Sequence, residues 1–155
     1  MSPAPEKSPL FPESSARTDL PPGVSEMTLQ PRYSETDAMG IVYYANYLIY
    51  FEVARTTALA ELGHPYWEME KQGWLIPVLR AHCEYHRPAR YGDSLRLRTF
   101  RTRLGRARIR FEYELRREGE DAPLVTGYTE HAFMSPAGKP LRPPAELLEL
   151  FPPEP

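Results

Sequence analysis

Residues 32–55 read RYSETDAMGIVYYANYLIYFEVAR, and the change of character half-way along decides the fold. The first part is a polar turn that carries Glu35 and Asp37 and ends at Gly40. From Tyr43 to Leu62 there is neither Gly nor Pro, and Gly63 followed by Pro65 supplies a stop signal. That pattern predicts a helix of about 20 residues, ~30 Å long at 1.5 Å per residue. Its first half, with Tyr47, Leu48, Ile49, Tyr50, Phe51, Val53 and Ala54, has almost no polar face, so the helix is expected to be buried on most sides. Glu52 and Arg55 are its charges there, three residues apart and expected to pair. A short second helix is expected from Tyr66 to Gln72, before Gly73.

Outward from the helix the period falls to two. On the N-terminal side Met27, Leu29 and Tyr33 alternate with Thr28, Gln30 and Arg32, a strand with one buried face, and Pro31 marks its end or an edge. On the C-terminal side Leu75, Leu79, Ala81, Cys83 and Tyr85 share a parity up to Pro88. Leu95, Leu97 and Thr99 follow the turn at Tyr91-Gly92-Asp93. Ala107, Ile109, Phe111, Tyr113 and Leu115 then face one way while Arg106, Arg108, Arg110, Glu112, Glu114 and Arg116 face the other. Leu104-Gly105 and the segment 118–123 read as tight connections, and a last strand runs from about Leu124 to Met134. After a turn at 136–140, Pro144 can open a short helix through Glu149. One long helix and an antiparallel meander imply an α+β fold with the sheet curved around the helix. The reading divides the chain into a flexible Pro-rich arm (1–26), a folded domain (27–142) and a short helix with a Pro-rich tail (143–155).

With 155 residues, 41% of them hydrophobic, the chain suits one globular domain. A net charge of −2 gives no general affinity for nucleic acid or an acidic membrane. One cysteine, Cys83, rules out an internal disulfide and a Cys-rich zinc site, and points to a reducing compartment. The opening MSPAPEKSPLFPESS has no apolar core, and no stretch is apolar enough for a membrane span, so a cytoplasmic location is expected.

Asp37, just ahead of the long helix, is either a turn residue bonding to backbone N–H groups or a catalytic carboxylate. The motifs of serine hydrolases, P-loop proteins, dinucleotide-binding proteins and zinc peptidases are absent from the sequence. A carboxylate that works without triad or metal suits thioester hydrolysis, where a thiolate of pKa near ~8.5 leaves without a strong general acid. Asp37 can attack the carbonyl or take a proton from water. Free N–H groups around Tyr43 to Ala45 can hold the developing oxyanion. Gly40 serves a positive φ or a close ligand approach.

These residues carry a resemblance. Arg32-Tyr33-x-Glu35-x-Asp37-x-x-Gly40-Ile41-Val42-Tyr43-Tyr44-x-Asn46-Tyr47, then Phe51-Glu52-x-Ala54-Arg55, resembles the signature of hot-dog-fold acyl-CoA thioesterases of the 4-hydroxybenzoyl-CoA thioesterase group. Glu84-Tyr85-x-x-Pro88-Ala89-Arg90-Tyr91-x-Asp93 is similar to a second motif of the same group. The resemblance implies a hot-dog fold, Asp37 as the catalytic carboxylate and the Tyr44 N–H as the group that polarises the carbonyl, with Gly40 beside them. It implies acyl-CoA as substrate, no further cofactor, and dimers with a joined sheet, often paired again, with acyl-CoA at the subunit interface. Met39 departs from the small residue common at its position, and Tyr44 stands where bacterial relatives often have His. A hot-dog dehydratase or hydratase, and a non-catalytic acyl-CoA-binding module, are the alternatives.

Other groups take lesser roles. Tyr43 and Tyr47, with Trp74, can contact the acyl group, and Arg87 and Arg90 can meet coenzyme A phosphates. His82, Glu84 and His86 share a strand face, yet a metal site there lacks a fourth ligand and no metal is expected. Alternating arginines on the strands are expected to form a solvated face. Glu35 is expected to shape the turn.

Overall fold

The protein is described by a computed structural model over residues 19–155; most of the expected Pro-rich arm, residues 1–18, lies outside the described residues. Five strands, β1 (Val24–Leu29), β2 (Val78–Tyr85), β3 (Leu95–Arg103), β4 (Arg108–Arg117) and β5 (Val125–Ala132), form one sheet in the order β1-β3-β4-β5-β2, every pairing antiparallel. The helices are α1 (Asn46–Glu61), α2 (Tyr66–Lys71) and α3 (Ala145–Leu148). This is the expected α+β arrangement. β1 begins at Val24, so the last residues assigned to the arm are strand, with Glu26 buried.

Alternation on β4 buries Ile109, Phe111, Tyr113 and Leu115 on the face that meets Leu95 and Leu97 of β3 and Phe51 of α1. Phe51 lies flat on Tyr113, centroids 4.2 Å apart and rings 4° from parallel. The Phe51 ring also explains Gly127, the register partner of Tyr113 on β5. A Cβ there would sit 2.8 Å from Phe51 Cε2 and 2.4 Å from the His82 carbonyl oxygen, inside any real contact distance. The C-terminal segment is no loose tail, since Leu147, Leu148 and Phe151 are buried and Phe151 meets Phe111 edge-on at 5.4 Å.

On the opposite face the arginines are tied down. Glu26, buried, takes Arg98 Nε at 2.7 Å and Arg96 Nε at 3.5 Å. Glu130, also buried, takes Arg110 at 2.5 Å, Arg108 at 3.3 Å and Arg80 at 3.8 Å. The Arg110 hydrogen bond first of all holds the Glu130 carboxyl below its ordinary value. The expected solvated face is there, the arginine side chains being partly to largely exposed, and it is also a set of cross-strand ion pairs centred on two buried carboxylates.

Three expectations need correcting. α1 starts at Asn46 rather than Tyr43, because the Tyr43 N–H is drawn off to the Glu35 carbonyl (2.9 Å) and the Asn46 side chain donates to the same oxygen (2.8 Å). Nor is α1 buried on most sides: Leu48 and Ile49 are 39% and 51% exposed. The inward parity expected of β2 is likewise uncovered, with Leu79 and Tyr85 each 48% exposed. Both follow from position, because β2 is an edge strand and α1 lies over the other strands, leaving a joint apolar surface in the single chain.

Candidate active site

Glu35 organises the ground on which the site stands. Buried in the short 3-10 turn Tyr33–Glu35, its Oε1 accepts the Arg32 N–H at 2.6 Å and the Tyr50 hydroxyl at 3.1 Å. Burial foremost, with the Glu35 charge added, pushes the Tyr50 hydroxyl upward. The expectation that Glu35 shapes the turn therefore holds, and its side chain points away from the Asp37 loop.

That loop is closed by its own backbone. Asp37 N–H donates to the Ile41 carbonyl and Gly40 N–H to the Asp37 carbonyl, each at 2.9 Å. Gly40 has φ +75°, which is why it is glycine, and its open α-face lies 3.9 Å from Arg90 Nη1. The half-exposed Asp37 carboxylate accepts the Met39 N–H at 2.8 Å through Oδ1. One oxygen is thus oriented by the turn, and Oδ2 is without a protein partner among the described residues. The turn reading and the catalytic reading of Asp37 coexist.

The second sequence motif is bonded to the first. Val42 N–H donates to the Ala89 carbonyl at 2.8 Å, Ala89 N–H donates to the Tyr47 hydroxyl at 3.1 Å, and the Tyr85 hydroxyl donates to the Tyr44 carbonyl at 3.1 Å. Asp93 holds this segment from the other end, taking the Arg90 N–H and Arg117 Nη2. Between the two motifs lies a cleft of about 340 Å³ whose walls include Asp37, Met39, Tyr43, Tyr44, Tyr47 and Tyr85. Of its tyrosines, Tyr43, Tyr47 and Tyr85 are held neutral at pH 7. Tyr43 is raised first by its hydrogen bond to Tyr44, with Asp37 contributing, burial raises Tyr47, and burial pushes Tyr85 up to about 12.

At the mouth of α1 the donors sort themselves. Tyr43 N–H is taken by Glu35 and Asn46 N–H by the Tyr43 carbonyl. Among the described residues the N–H groups of Tyr44 and Ala45 meet no protein acceptor. They are donors at the helix start left open to a ligand.

The remaining candidates divide. Arg87 lines the cleft but is engaged by Glu120 at 3.0 Å and the Ala122 carbonyl at 2.7 Å. Arg90 stands at the Gly40 rim with no ion pair among the described residues. Tyr47 is buried, its hydroxyl serving the Ala89 N–H, so it is wall and brace together. Glu52 and Arg55 do not pair: Glu52 is exposed, while Arg55 is half-buried, and burial raises the nearby Tyr113 hydroxyl against the opposing pull of the Arg55 charge. His82 lies against Glu84 at 3.1 Å and His86 against Thr126 at 2.8 Å. Among the described residues no three His, Cys, Asp or Glu side chains gather as metal ligands. Sequence reasoning missed Tyr85 and His86 as cleft residues, although both belong to the strand that carries the second motif.

Residues 31–151 match the thioesterase-like superfamily. The chain belongs to that superfamily. A protein of Bacillus subtilis bearing a provisional acyl-CoA thioesterase name is 46% identical over 77 residues, 50% of this chain and 56% of that protein, so the chain spans little more than half of that relative's length. The DHNA-CoA thioesterase of Staphylococcus aureus superposes with a TM-score of 0.72 at 34% identity, covering 77% of this chain and 80% of that one. A 4-hydroxybenzoyl-CoA thioesterase bound to 4-hydroxybenzoyl-CoA superposes with a TM-score of 0.74 at 20% identity, covering 83% and 98%, a likeness of fold. The hot-dog fold and the thioester-hydrolase class expected from the two motifs stand on these matches.

Proposed function

We propose that this protein hydrolyses acyl-CoA thioesters in the cleft between the Asp37 loop and the head of α1. The observation that carries the reading is the pair of unused N–H groups at Tyr44 and Ala45, opening where Asp37 offers a half-exposed carboxylate. With the thioester carbonyl on the Tyr44 N–H, charge that develops on oxygen is met by a preset donor and the positive end of α1. Asp37 either attacks the carbonyl carbon, forming an anhydride as the thiolate leaves, or removes a proton from an attacking water. The same carboxylate serves both routes. Neutral Tyr43, Tyr47 and Tyr85 give the acyl group aromatic walls without a competing charge, and Arg90, free of ion pairs, is available to a coenzyme A phosphate. No cofactor is required, coenzyme A being part of the substrate.

The uncovered faces of α1 and β2 support a homodimer joined edge to edge through β2, with pairing of such dimers as a further level. Among the described residues no helix is long and apolar enough to cross a membrane, and a cytoplasmic location is part of the proposal. The experiment is hydrolysis of an acyl-CoA panel followed by thiol release, wild type against Asp37→Asn. The variant should lose at least ~10²-fold in rate; equal rates would remove Asp37 from the chemistry. A hydratase would instead act on enoyl-CoA with the thioester left intact.

A further inference from the structure

A second cavity, of about 210 Å³, opens on the uncovered side of α1 between Glu52, Arg55, Thr56, Leu59, Tyr66 and Ile76. Arg55 is half-buried there with no carboxylate within 4.0 Å among the described residues. Its charge is felt at the Tyr113 hydroxyl, and Glu52 on the rim is exposed. A half-buried guanidinium that opens on a cavity without a counter-ion is available to an acceptor from outside the chain.

The dimer of the proposed function, on which this inference rests, indicates where that acceptor comes from. Two β2 edges that pair antiparallel are related by a two-fold axis perpendicular to the sheet, which sets the two α1 helices on one face, running in opposite directions. The exposed apolar residues of α1, Leu48 and Ile49, mark the crossing. Positions equidistant from that point then lie level with each other along the two helices: the Ala45 cap of one with Glu52 of the other, and the loop that precedes α1 with Arg55. Val42, Tyr43 and Tyr44 line the Asp37 cleft. The Arg55 cavity of one protomer therefore continues the cleft of the other.

The geometry points to Arg55 as a specificity residue acting across the dimer: its guanidinium binds an oxygen acceptor, a carboxylate above all, at the far end of an acyl group whose thioester lies on the partner's Tyr44. The planar fork of donors suits a carboxylate in two-point contact. Acyl groups that end in a carboxylate are favoured over apolar ones of equal length.

Glutaryl-CoA and pentanoyl-CoA, equal in carbon count and differing in the terminal carboxylate, are the probes. Wild type should prefer glutaryl-CoA in kcat/KM. Arg55→Met should lower that preference at least about tenfold, chiefly through KM, and Arg55→Lys should restore part of it. An unchanged preference in Arg55→Met of native spectrum and Tm overturns the assignment. To test the route across the dimer, Asp37→Asn and Arg55→Met chains carrying different tags are co-expressed and isolated through both tags. A mixed dimer then has one cleft with both lesions and one with neither, so glutaryl-CoA hydrolysis should reach about half the wild-type value per chain, roughly fivefold or more above either parent. Were Arg55 to serve its own protomer's cleft, every site would carry a lesion and no recovery would occur. Failure to isolate any doubly tagged species would instead refute the dimer, and light scattering on wild type reports that separately.

Discussion

The buried histidine gives the sharpest prediction about stability. His131 is fully buried, with Nδ1 at 2.9 Å from the Ile76 carbonyl and Nε2 at 2.8 Å from Thr129 Oγ1. A carbonyl only accepts, so Nδ1 carries the hydrogen, and in the neutral imidazole Nε2 then accepts from Thr129. Thr129 Oγ1 then accepts from the Tyr113 hydroxyl, 2.7 Å away. One direction runs through the whole chain, from Tyr113 through Thr129 and His131 to Ile76, and it requires a neutral imidazole. Burial is the main cause that lowers His131 from 6.5 to about 4. Because the folded pKa lies below the unfolded one, the contribution is complete above pH 6.5 and is lost as the pH falls towards 4. At pH 5 the loss works out at ~2 kcal/mol, and below pH 4 at ~3 kcal/mol. Urea denaturation of wild type and His131→Gln between pH 7.5 and 4.5 isolates it. The difference between the two curves should narrow by these amounts as the pH falls. A constant difference, or an imidazole that titrates near 6.5 by NMR, would show that the chain of hydrogen bonds does not hold His131 neutral.

Two further changes probe packing and the cleft. Gly127→Ala places a methyl 2.4 Å from the His82 carbonyl and 2.8 Å from Phe51, and should destabilise by at least ~1–3 kcal/mol in urea, since backbone must move to admit it. Tyr47→Phe strips the Ala89 N–H of its acceptor, at a cost of ~1–3 kcal/mol; because Ala89 also holds Val42, KM for acyl-CoA should rise along with the fall in Tm.

How far the sequence reached can be seen from particular residues. β4 was legible because its alternation is unbroken from Ala107 to Arg116, and the helix end at Gly63 because a positive φ, +87°, terminates it. The helix start was not, because no residue-type signal reveals that the Glu35 carbonyl takes the Tyr43 N–H across the turn. The ion pairs of Arg96, Arg98, Arg108 and Arg110 were not legible for a related reason: cross-strand register, which a single strand does not display, brings Glu26 and Glu130 among them. Asp37, Gly40 and Tyr44 were found as one constellation because they lie within eight residues of each other. Tyr85 escaped because its bond to the Tyr44 carbonyl joins positions 41 residues apart.

The central claim is that Asp37 performs the chemistry on a thioester held by the amide of Tyr44. Its most direct test joins two readings on Asp37→Asn: acyl-CoA affinity by calorimetry and single-turnover hydrolysis with protein in excess. Asparagine can still accept the Met39 N–H, so the loop and the cleft should persist, with Kd for acyl-CoA close to that of wild-type protein for a non-hydrolysable thioether analogue. Hydrolysis of the bound thioester should fall by at least ~10²-fold. Tight binding with single-turnover rates equal to wild type would contradict the account.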